Sequence, residues 1–149
     1  MLNGLNEHAI VELAAHIALE AHTGRTDKYG APYIFHVLRV GLAGSTWEEQ
    51  AAGFLHDVVE DTPVTLDDLQ KRGIPQVILD IVDHLTKREG ESYEAYVSRA
   101  IGHPVARRVK LHDLEDNMNL RRCDDITAKD VDRLSRYVKA WQRIREMEE

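Results

Sequence analysis

The stretch HDVVED, residues His56–Asp61, sets four ionisable side chains within six residues. An apolar run at positions 51–55 leads directly into it, so we expect part of the stretch to face a core. A buried polar group without a partner costs on the order of a few kcal/mol, and an unpaired charge costs more. A bound divalent cation would offset that cost. Solvated charges at a helix end, just before Thr62-Pro63, are the alternative.

Helical spacing divides the stretch into two pairs of side chains, because residues four apart share a face of a helix. On one continuous helix, Glu60 lies one turn beyond His56, and Asp61 lies one turn beyond Asp57. The His-Asp pair is a mixed ligand set suited to manganese, iron or zinc. The second pair offers carboxylates for acid–base chemistry. Because the motif is short, a metal site requires further ligands elsewhere in the chain.

Length, charge and cysteine content restrict the class of protein. The 149 residues fit one domain over 1–149, which can bury a core without disulfides. Cys123 is the only cysteine, which excludes an internal disulfide and fits a reducing cytosol. With 19 basic and 26 acidic residues the net charge is −7, which disfavours a nucleic acid polymer as partner.

The sequence also bears on location. Residues 1–7 lack the basic region and apolar core of a signal peptide, and no apolar run is long enough to span a bilayer. We therefore expect a cytoplasmic protein without a membrane partner.

Apolar periodicity predicts an all-α fold of about seven to eight helices with no sheet of note. Predicted N-caps are Asn6, Thr46, Thr65, Ser92 and Thr127. The predicted helices cover approximately 7–22, 32–43, 47–62, 66–71, 75–85, 93–101, 104–121 and 128–149. The last helix carries an apolar stripe that could cover the domain or a second chain, so a homo-oligomer stays open.

Two further polar residues stand in apolar surroundings. His36 follows a Gly/Pro loop, and Asp113 shares a helix face with Asn117. A core histidine bonded to the backbone is the alternative for His36. With His56 and Asp57, these residues would supply two imidazoles and two carboxylates, leaving positions for water and substrate, which favours a catalytic site and manganese over zinc. Neighbouring acids and cations are interpreted as solvated or surface groups: Glu115, Asp116 and Arg39.

Four segments carry a resemblance to a known family. They are Ala21–Gly24 with Gly30–His36, then His56–Thr62, then Leu85–Lys87, and finally Val109–Asp113 with Asn117-Met118. In these segments the chain resembles the HD-domain metal-dependent phosphohydrolases, above all the RelA/SpoT-homologue hydrolase domain and the small alarmone hydrolases. The resemblance implies an HD-domain helical bundle acting as a 3′-pyrophosphohydrolase on a (p)ppGpp-type alarmone in the stringent response.

The resemblance also implies roles for single residues. One divalent metal, usually manganese, would be held by His36, His56, Asp57 and Asp113. Glu60 and Asp61 would orient and activate the attacking water. Candidates for binding the phosphorylated nucleotide are Arg25, Lys28, Tyr33, Lys87, Lys110 and Asn117.

Two departures from the family concern the nucleotide base. The family places an Arg-Lys pair before the first ligand histidine, where the Arg helps to hold guanine, whereas this chain reads Asp27-Lys28. Arg25 could substitute only if the loop shifted. The family reads Ala-Asp-Arg-Leu-His-Asn-Met where residues His112–Met118 read HDLEDNM. An adenine alarmone or NADPH therefore stays open as substrate, as does a metal-containing sensor without turnover, although the intact Glu60 and Asp61 disfavour a sensor.

Overall fold

The computed structural model describes residues 6–149, and within this range the chain is helical apart from a single β-bridge between Thr26 and Pro32. The α-helices are α1 (Glu7–Ala21), α2 (Ile34–Ala43), α3 (Trp47–Leu55), α4 (Val58–Asp61), α5 (Leu66–Lys71), α6 (Gln76–Leu85), α7 (Tyr93–Ile101), α8 (Pro104–Asn117) and α9 (Ala128–Met147). A 3-10 turn, Leu120–Arg122, lies between the last two. The predicted all-helical class is confirmed, with eight helices when the one-turn α4 is set aside.

Side-chain caps fix most of the helix starts. All five predicted caps accept a hydrogen bond from the backbone N–H three residues on: Asn6, Thr46, Thr65, Ser92 and Thr127. Thr65 and Thr127 form reciprocal capping boxes with Asp68 and Asp130. These local bonds explain why the starts could be predicted from the sequence alone.

Two predicted helices end earlier than expected. The helix predicted over 47–62 is interrupted, since α3 ends at Leu55 and α4 begins at Val58. The Nδ1 atom of His56 lies 2.7 Å from the Gly53 carbonyl, the acceptor that the N–H of residue 57 would use in a continuous helix. The helix predicted over 104–121 ends at Asn117, and Asn119 then accepts from the Arg121 N–H and starts the 3-10 turn.

A close approach of α2 and α3 positions the two histidines of the site. A Cβ added to Gly53 would lie 2.8 Å from the Gly41 Cα, and one added to Gly41 would lie 2.2 Å from the Phe54 ring. Only glycine allows the two helices to pack this tightly. His36 on α2 and His56 just after α3 have ring centroids 5.3 Å apart.

The apolar core has two parts. The larger part is formed mainly by α1, α2, α3 and α6, and the smaller by α7, α8 and α9. Ala140 and Ile144 of α9 are buried in the smaller part, so one face of α9 covers the domain. Val131 and Val138 on the same helix are exposed. No described helix has the length and apolar character required to cross a membrane.

A histidine caps the start of α8, and we expect it to make the stability of the protein depend on pH. His103 Nδ1 accepts from the N–H groups of Val105 and Ala106, and the His84 ring lies 5.0 Å away. Burial first, and then His84, lower the pKa of His103, although Asp80 raises it in part. A lowered pKa means that the cap contributes its full stability above the ordinary pKa of about 6.5 and loses it as the pH falls through the lower folded value.

We expect His103→Ala to reduce the free energy of unfolding by about 1 kcal/mol at neutral pH, and by less in acid. His103→Asn is the matched control, because asparagine caps without titrating in this range. Thermal unfolding at about pH 7.5 and about pH 5 measures both variants. Equal pH dependence of wild type and His103→Asn would contradict a titrating cap.

Candidate metal and catalytic site

Three parts of the fold bring the four predicted metal ligands together. His36 comes from α2, His56 and Asp57 from the break between α3 and α4, and Asp113 from α8. His36 Nε2 lies 3.1 Å from Asp113 Oδ1 and 3.7 Å from Asp57 Oδ2. His56 Nε2 lies 3.0 Å from Asp57 Oδ2 and 3.4 Å from Asp113 Oδ1. His36, His56 and Asp57 thus form one group of donor atoms, and Asp113 approaches the two imidazoles of that group.

Hydrogen bonds on the far side of each ring orient the two imidazoles. His56 Nδ1 bonds the Gly53 carbonyl at 2.7 Å, and because a carbonyl only accepts, Nδ1 carries the proton. His36 Nδ1 lies 2.6 Å from Asp116 Oδ2. A carboxylate or carbonyl on one ring nitrogen is the usual support for a metal-binding histidine, and it leaves Nε2 directed into the site.

The contacts among these donors fit a divalent metal ion. Adjacent octahedral ligands about 2.1 Å from a metal lie about 3.0 Å from each other, with their lone pairs aimed at the metal. His56 Nε2 is buried and, among the described residues, has no hydrogen-bond partner despite its 3.0 Å approach to Asp57. One donor atom each from His36, His56 and Asp57 fits within 4.8 Å, and this group could hold a metal ion.

The electrostatics of the cluster suit a cation. Burial alone would lower the pKa of His36 and His56, but the facing carboxylates outweigh it and raise both pKa values. Burial opposes ionisation of Asp57, yet the imidazoles lower its pKa to about 2. Asp113 has its pKa held well below the usual range by Lys110 and the two histidines, again against burial. Both carboxylates are therefore ionised at neutral pH.

Asp113 is held by two of the predicted substrate-binding residues. Lys110 is buried, and its ammonium donates to Asp113 Oδ2 at 2.9 Å and to the Tyr96 hydroxyl at 3.3 Å. Asn117 Nδ2 donates to Asp113 Oδ1 at 2.9 Å. Tyr96 in turn donates to the Leu85 carbonyl at 2.9 Å. The described hydrogen bonds of Lys110 therefore hold the predicted metal ligand Asp113 and do not extend into the open part of the site.

Glu60 and Asp61 follow the ligand pair His56-Asp57 after two valines. The N–H of Lys87 donates to Glu60 Oε1 at 2.8 Å, so the described contact of Lys87 with the site is through its backbone. Asp61 Oδ2 lies 3.9 Å from Arg25 Nη1. Burial, with Asp57 and Glu60 nearby, raises the pKa of Asp61 to about 6. A carboxylate with such a pKa is suited to take a proton near neutral pH.

Arg25 and Tyr33 form a wall beside the ligands. The Arg25 guanidinium carbon lies 4.2 Å from the centre of the Tyr33 ring, and the Tyr33 hydroxyl bonds Asp57. Arg25 Nη1 also lies 2.9 Å from Nδ1 of His22, a buried residue. The turn after α1 brings Arg25 beside Asp61 and Tyr33. Whether Arg25 replaces the family's arginine at the base, with or without a loop shift, stays a prediction.

Asp27 and Lys28 do not join this wall. Asp27 Oδ1 accepts from the N–H groups of Tyr29 and Ala31, and Oδ2 lies 3.3 Å from Arg122, so both oxygens are used in the loop. Lys28 is exposed, with its ammonium 5.2 Å from the Tyr29 ring. Of the two residues aligned with the family's Arg-Lys pair, neither has a described contact with the ligand cluster.

Three residues of the site escaped the sequence reasoning. Asp116, interpreted as a solvated charge, supports His36, and Arg39, interpreted as a surface residue, holds Asp116 through Nε at 2.6 Å and Nη2 at 3.2 Å. A signal was present: Arg39 lies three residues after His36, and Asp116 three after Asp113, so each shares a helix face with a ligand. His22 is the third, and no spacing rule indicates it.

Comparisons with known proteins show to which family the chain is related. A guanosine-3′,5′-bis(diphosphate) 3′-pyrophosphohydrolase of Aquifex aeolicus is 29% identical over 131 residues, and a GTP pyrophosphokinase of Streptomyces coelicolor is 34% identical over 125. The chain is an HD-domain relative of the RelA/SpoT hydrolases. These matches cover 79% and 75% of this chain but only 19% and 15% of the relatives, so the chain aligns with one part of much longer proteins.

The fold agrees with this kinship. A solved structure of a metazoan orthologue of SpoT that hydrolyses ppGpp matches with a TM-score of 0.74 at 22% identity, covering 91% of this chain and 85% of that one. No protein-family model matches the chain. The agreement with the metazoan protein establishes the HD-type fold, on which the site described above is built.

Proposed function

We propose that this RelA/SpoT relative, as one HD-type domain over residues 1–149, hydrolyses a phosphorylated nucleotide, with the 3′-diphosphate of a (p)ppGpp-type alarmone as substrate. The convergence of His36, His56, Asp57 and Asp113, with the carboxylates of Glu60 and Asp61 close by in sequence, carries this proposal. The names of the relatives, several of them 3′-pyrophosphohydrolases, support it. The protein would act in the cytoplasm on a small nucleotide.

The four converging residues would hold one divalent metal ion, and the oxygen-rich set with open positions favours manganese. Such an ion, when bound, would lower the pKa of a coordinated water and offset charge on the phosphoryl group. The remaining work falls to the chain itself. Asp116 and the Gly53 carbonyl keep the imidazoles oriented, while Lys110 and Asn117 keep Asp113 in place.

Hydrolysis requires that a water molecule lose a proton as its oxygen bonds to the phosphorus next to the 3′ oxygen. The bond to the 3′ oxygen breaks, and pyrophosphate and a 3′-hydroxyl are the products. We assign the acceptance of this proton to Asp61 and Glu60, and the pKa of Asp61, raised to about 6 by burial and by the neighbouring Asp57 and Glu60, suits it to that step. The Arg25 guanidinium, packed on Tyr33, would contact the nucleotide, while the exposed side chains of Lys28 and Lys87 are candidates for its phosphates.

A substrate panel tests the proposal. Purified protein with Mn²⁺ is incubated with ppGpp, its adenine counterpart ppApp, NADPH and GDP, which is the matched control without a 3′-diphosphate. We expect pyrophosphate from ppGpp, or from ppApp if the base is adenine, and none from GDP. Phosphate release from NADPH alone would replace the alarmone with another nucleotide. Mn²⁺ binding without product from any compound would favour a nucleotide sensor.

A further inference from the structure

Arg122, on the 3-10 turn after α8, lies between two acids that are distant in sequence. Its Nη1 is 3.3 Å from Asp27 Oδ2. Its Nη2 donates to the Asp116 carbonyl at 3.0 Å and lies 3.6 Å from Asp116 Oδ2. A planar guanidinium can contact two partners in fixed directions, which a lysine ammonium on a flexible stem does less well.

On one side, Arg122 contacts the support of a metal ligand. Asp116 Oδ2 is the atom that bonds His36 Nδ1 at 2.6 Å. Arg39 contacts the same carboxylate from the opposite side of the interface between α2 and α8. Asp116 is thus fixed by two cations, and its orientation sets that of the His36 ring.

On the other side, Arg122 contacts the loop that carries Arg25. Asp27 organises this loop by accepting from the Tyr29 and Ala31 N–H groups at 2.9 Å each. The guanidinium of Arg122 lies 5.3 Å from the Tyr29 ring, and Cys123 donates from Sγ to the Tyr29 hydroxyl at 3.1 Å. The turn after α8 therefore packs on the loop through three separate contacts.

These two acids stand at the positions where the chain departs from the family pattern. Asp27 replaces the usual arginine, and Asp116 replaces the histidine of Ala-Asp-Arg-Leu-His-Asn-Met. Asp27 contacts Arg122, and Asp116 contacts both Arg122 and Arg39. Because Arg122 is shared by the two acids, the two departures form a single charge network and not two independent losses of substrate contacts.

We propose that Arg122 is a positioning residue that couples the loop at 24–32 to the metal ligand His36 through Asp27 and Asp116. Where it concerns the substrate, this inference rests on the proposed function. The coupling has two measurable ends: the affinity for the metal, and the order of the loop that presents Arg25.

The test compares Arg122→Met with Arg39→Met and Asp27→Asn. Arg39→Met is the matched control, because it removes the other cation on Asp116 and leaves Asp27 untouched. Mn²⁺ affinity is measured by competition with a chelator, and loop order by amide hydrogen exchange of residues 24–33. Neither readout requires turnover, so a protein without activity on ppGpp would overturn the proposed function and leave this test intact.

Arg122 contacts the support of His36 and not His36 itself, so we expect Arg122→Met to weaken Mn²⁺ binding by about tenfold at most, the lower end of the loss for a direct support. It should also accelerate amide exchange at Tyr29 and Ala31. Arg39→Met should weaken Mn²⁺ binding alone, and Asp27→Asn should mainly accelerate amide exchange in the loop. In the double variant Asp27→Asn/Arg122→Met, the change in amide exchange should be smaller than the sum of the changes in the two single variants. An Arg122→Met variant that changes only one readout, or neither, would overturn the coupling. If that variant does not fold, Arg122→Lys replaces it, and full retention of both readouts there would equally contradict the bridging role.

Discussion

Asp113→Ala is expected to abolish measurable Mn²⁺ binding and, with it, turnover. Asp113 Oδ1 approaches both imidazoles, at 3.1 Å and 3.4 Å, so the substitution removes one of four converging donors. Loss of an outer-shell contact typically costs 10- to 100-fold in affinity, and we expect loss of a ligand to exceed about 100-fold. In wild type, Mn²⁺ at about 100 times its Kd should add about 2.7 kcal/mol to the free energy of unfolding. The variant should show no such gain.

The variant has a second expected consequence, because Lys110 is buried against Asp113 at 2.9 Å. Removing one partner of a buried ion pair costs about 3–5 kcal/mol, so Asp113→Ala should also unfold at a lower temperature without metal. Asp113→Asn keeps a side-chain oxygen for Lys110 and separates metal loss from instability. The exposed Asp125→Ala is the control and should match wild type in both measurements. Tight Mn²⁺ binding by Asp113→Asn and Asp113→Ala alike would remove Asp113 from the ligand set.

The sequence predicted the helices well because periodicity and caps are local. It could not predict the break at His56-Asp57, because the break depends on which group bonds the Gly53 carbonyl, and a side chain replaces the expected backbone partner there. The continuous helix would have placed Glu60 over His56 and Asp61 over Asp57. With the helix interrupted, that pairing no longer follows from spacing, and the roles of the two acids depend on their contacts with Lys87 and Arg25.

Long-range charge pairs explain the other differences. In the sequence, Asp116 resembles a solvated residue on a helix surface. Its supporting role follows only from its partners, His36 on α2 and Arg122 on the 3-10 turn. Burial raises the pKa of Asp116, but the bonds from His36 and Arg39 outweigh it and lower that pKa to about 2, so the supporting charge persists in mild acid. The role of Asp27 could not be predicted for the same reason, since its partner Arg122 lies 95 residues away. A single sequence taken alone offers no rule for pairing residues over such distances.

Glu60→Gln is expected to retain the metal and lose most of the turnover. Glutamine has the same shape and can still accept from the Lys87 N–H, which holds Glu60 at 2.8 Å, so the geometry should persist. Removal of a group that assists proton transfer typically costs 10²- to 10⁴-fold, and we expect kcat to fall by about that factor. Mn²⁺ affinity should stay close to that of wild type. The exposed Glu89→Gln is the matched control.

The pH profile distinguishes Glu60 from Asp61. Burial, Asp57 and Glu60 raise the pKa of Asp61 to about 6 without a metal ion, and a bound cation would lower it. As the carboxylate becomes protonated in acid, the wild-type rate at saturating Mn²⁺ should fall in parallel. If Asp61 takes the proton, then at saturating Mn²⁺ Asp61→Asn removes this acid limb and leaves a low, flat rate, while Glu60→Gln keeps the limb at reduced height. The opposite pattern would make Glu60 the base and Asp61 the residue that orients the water. Loss of metal in either variant would show that its carboxylate is a ligand, and the division of HDVVED into ligands and acid–base groups would then be wrong.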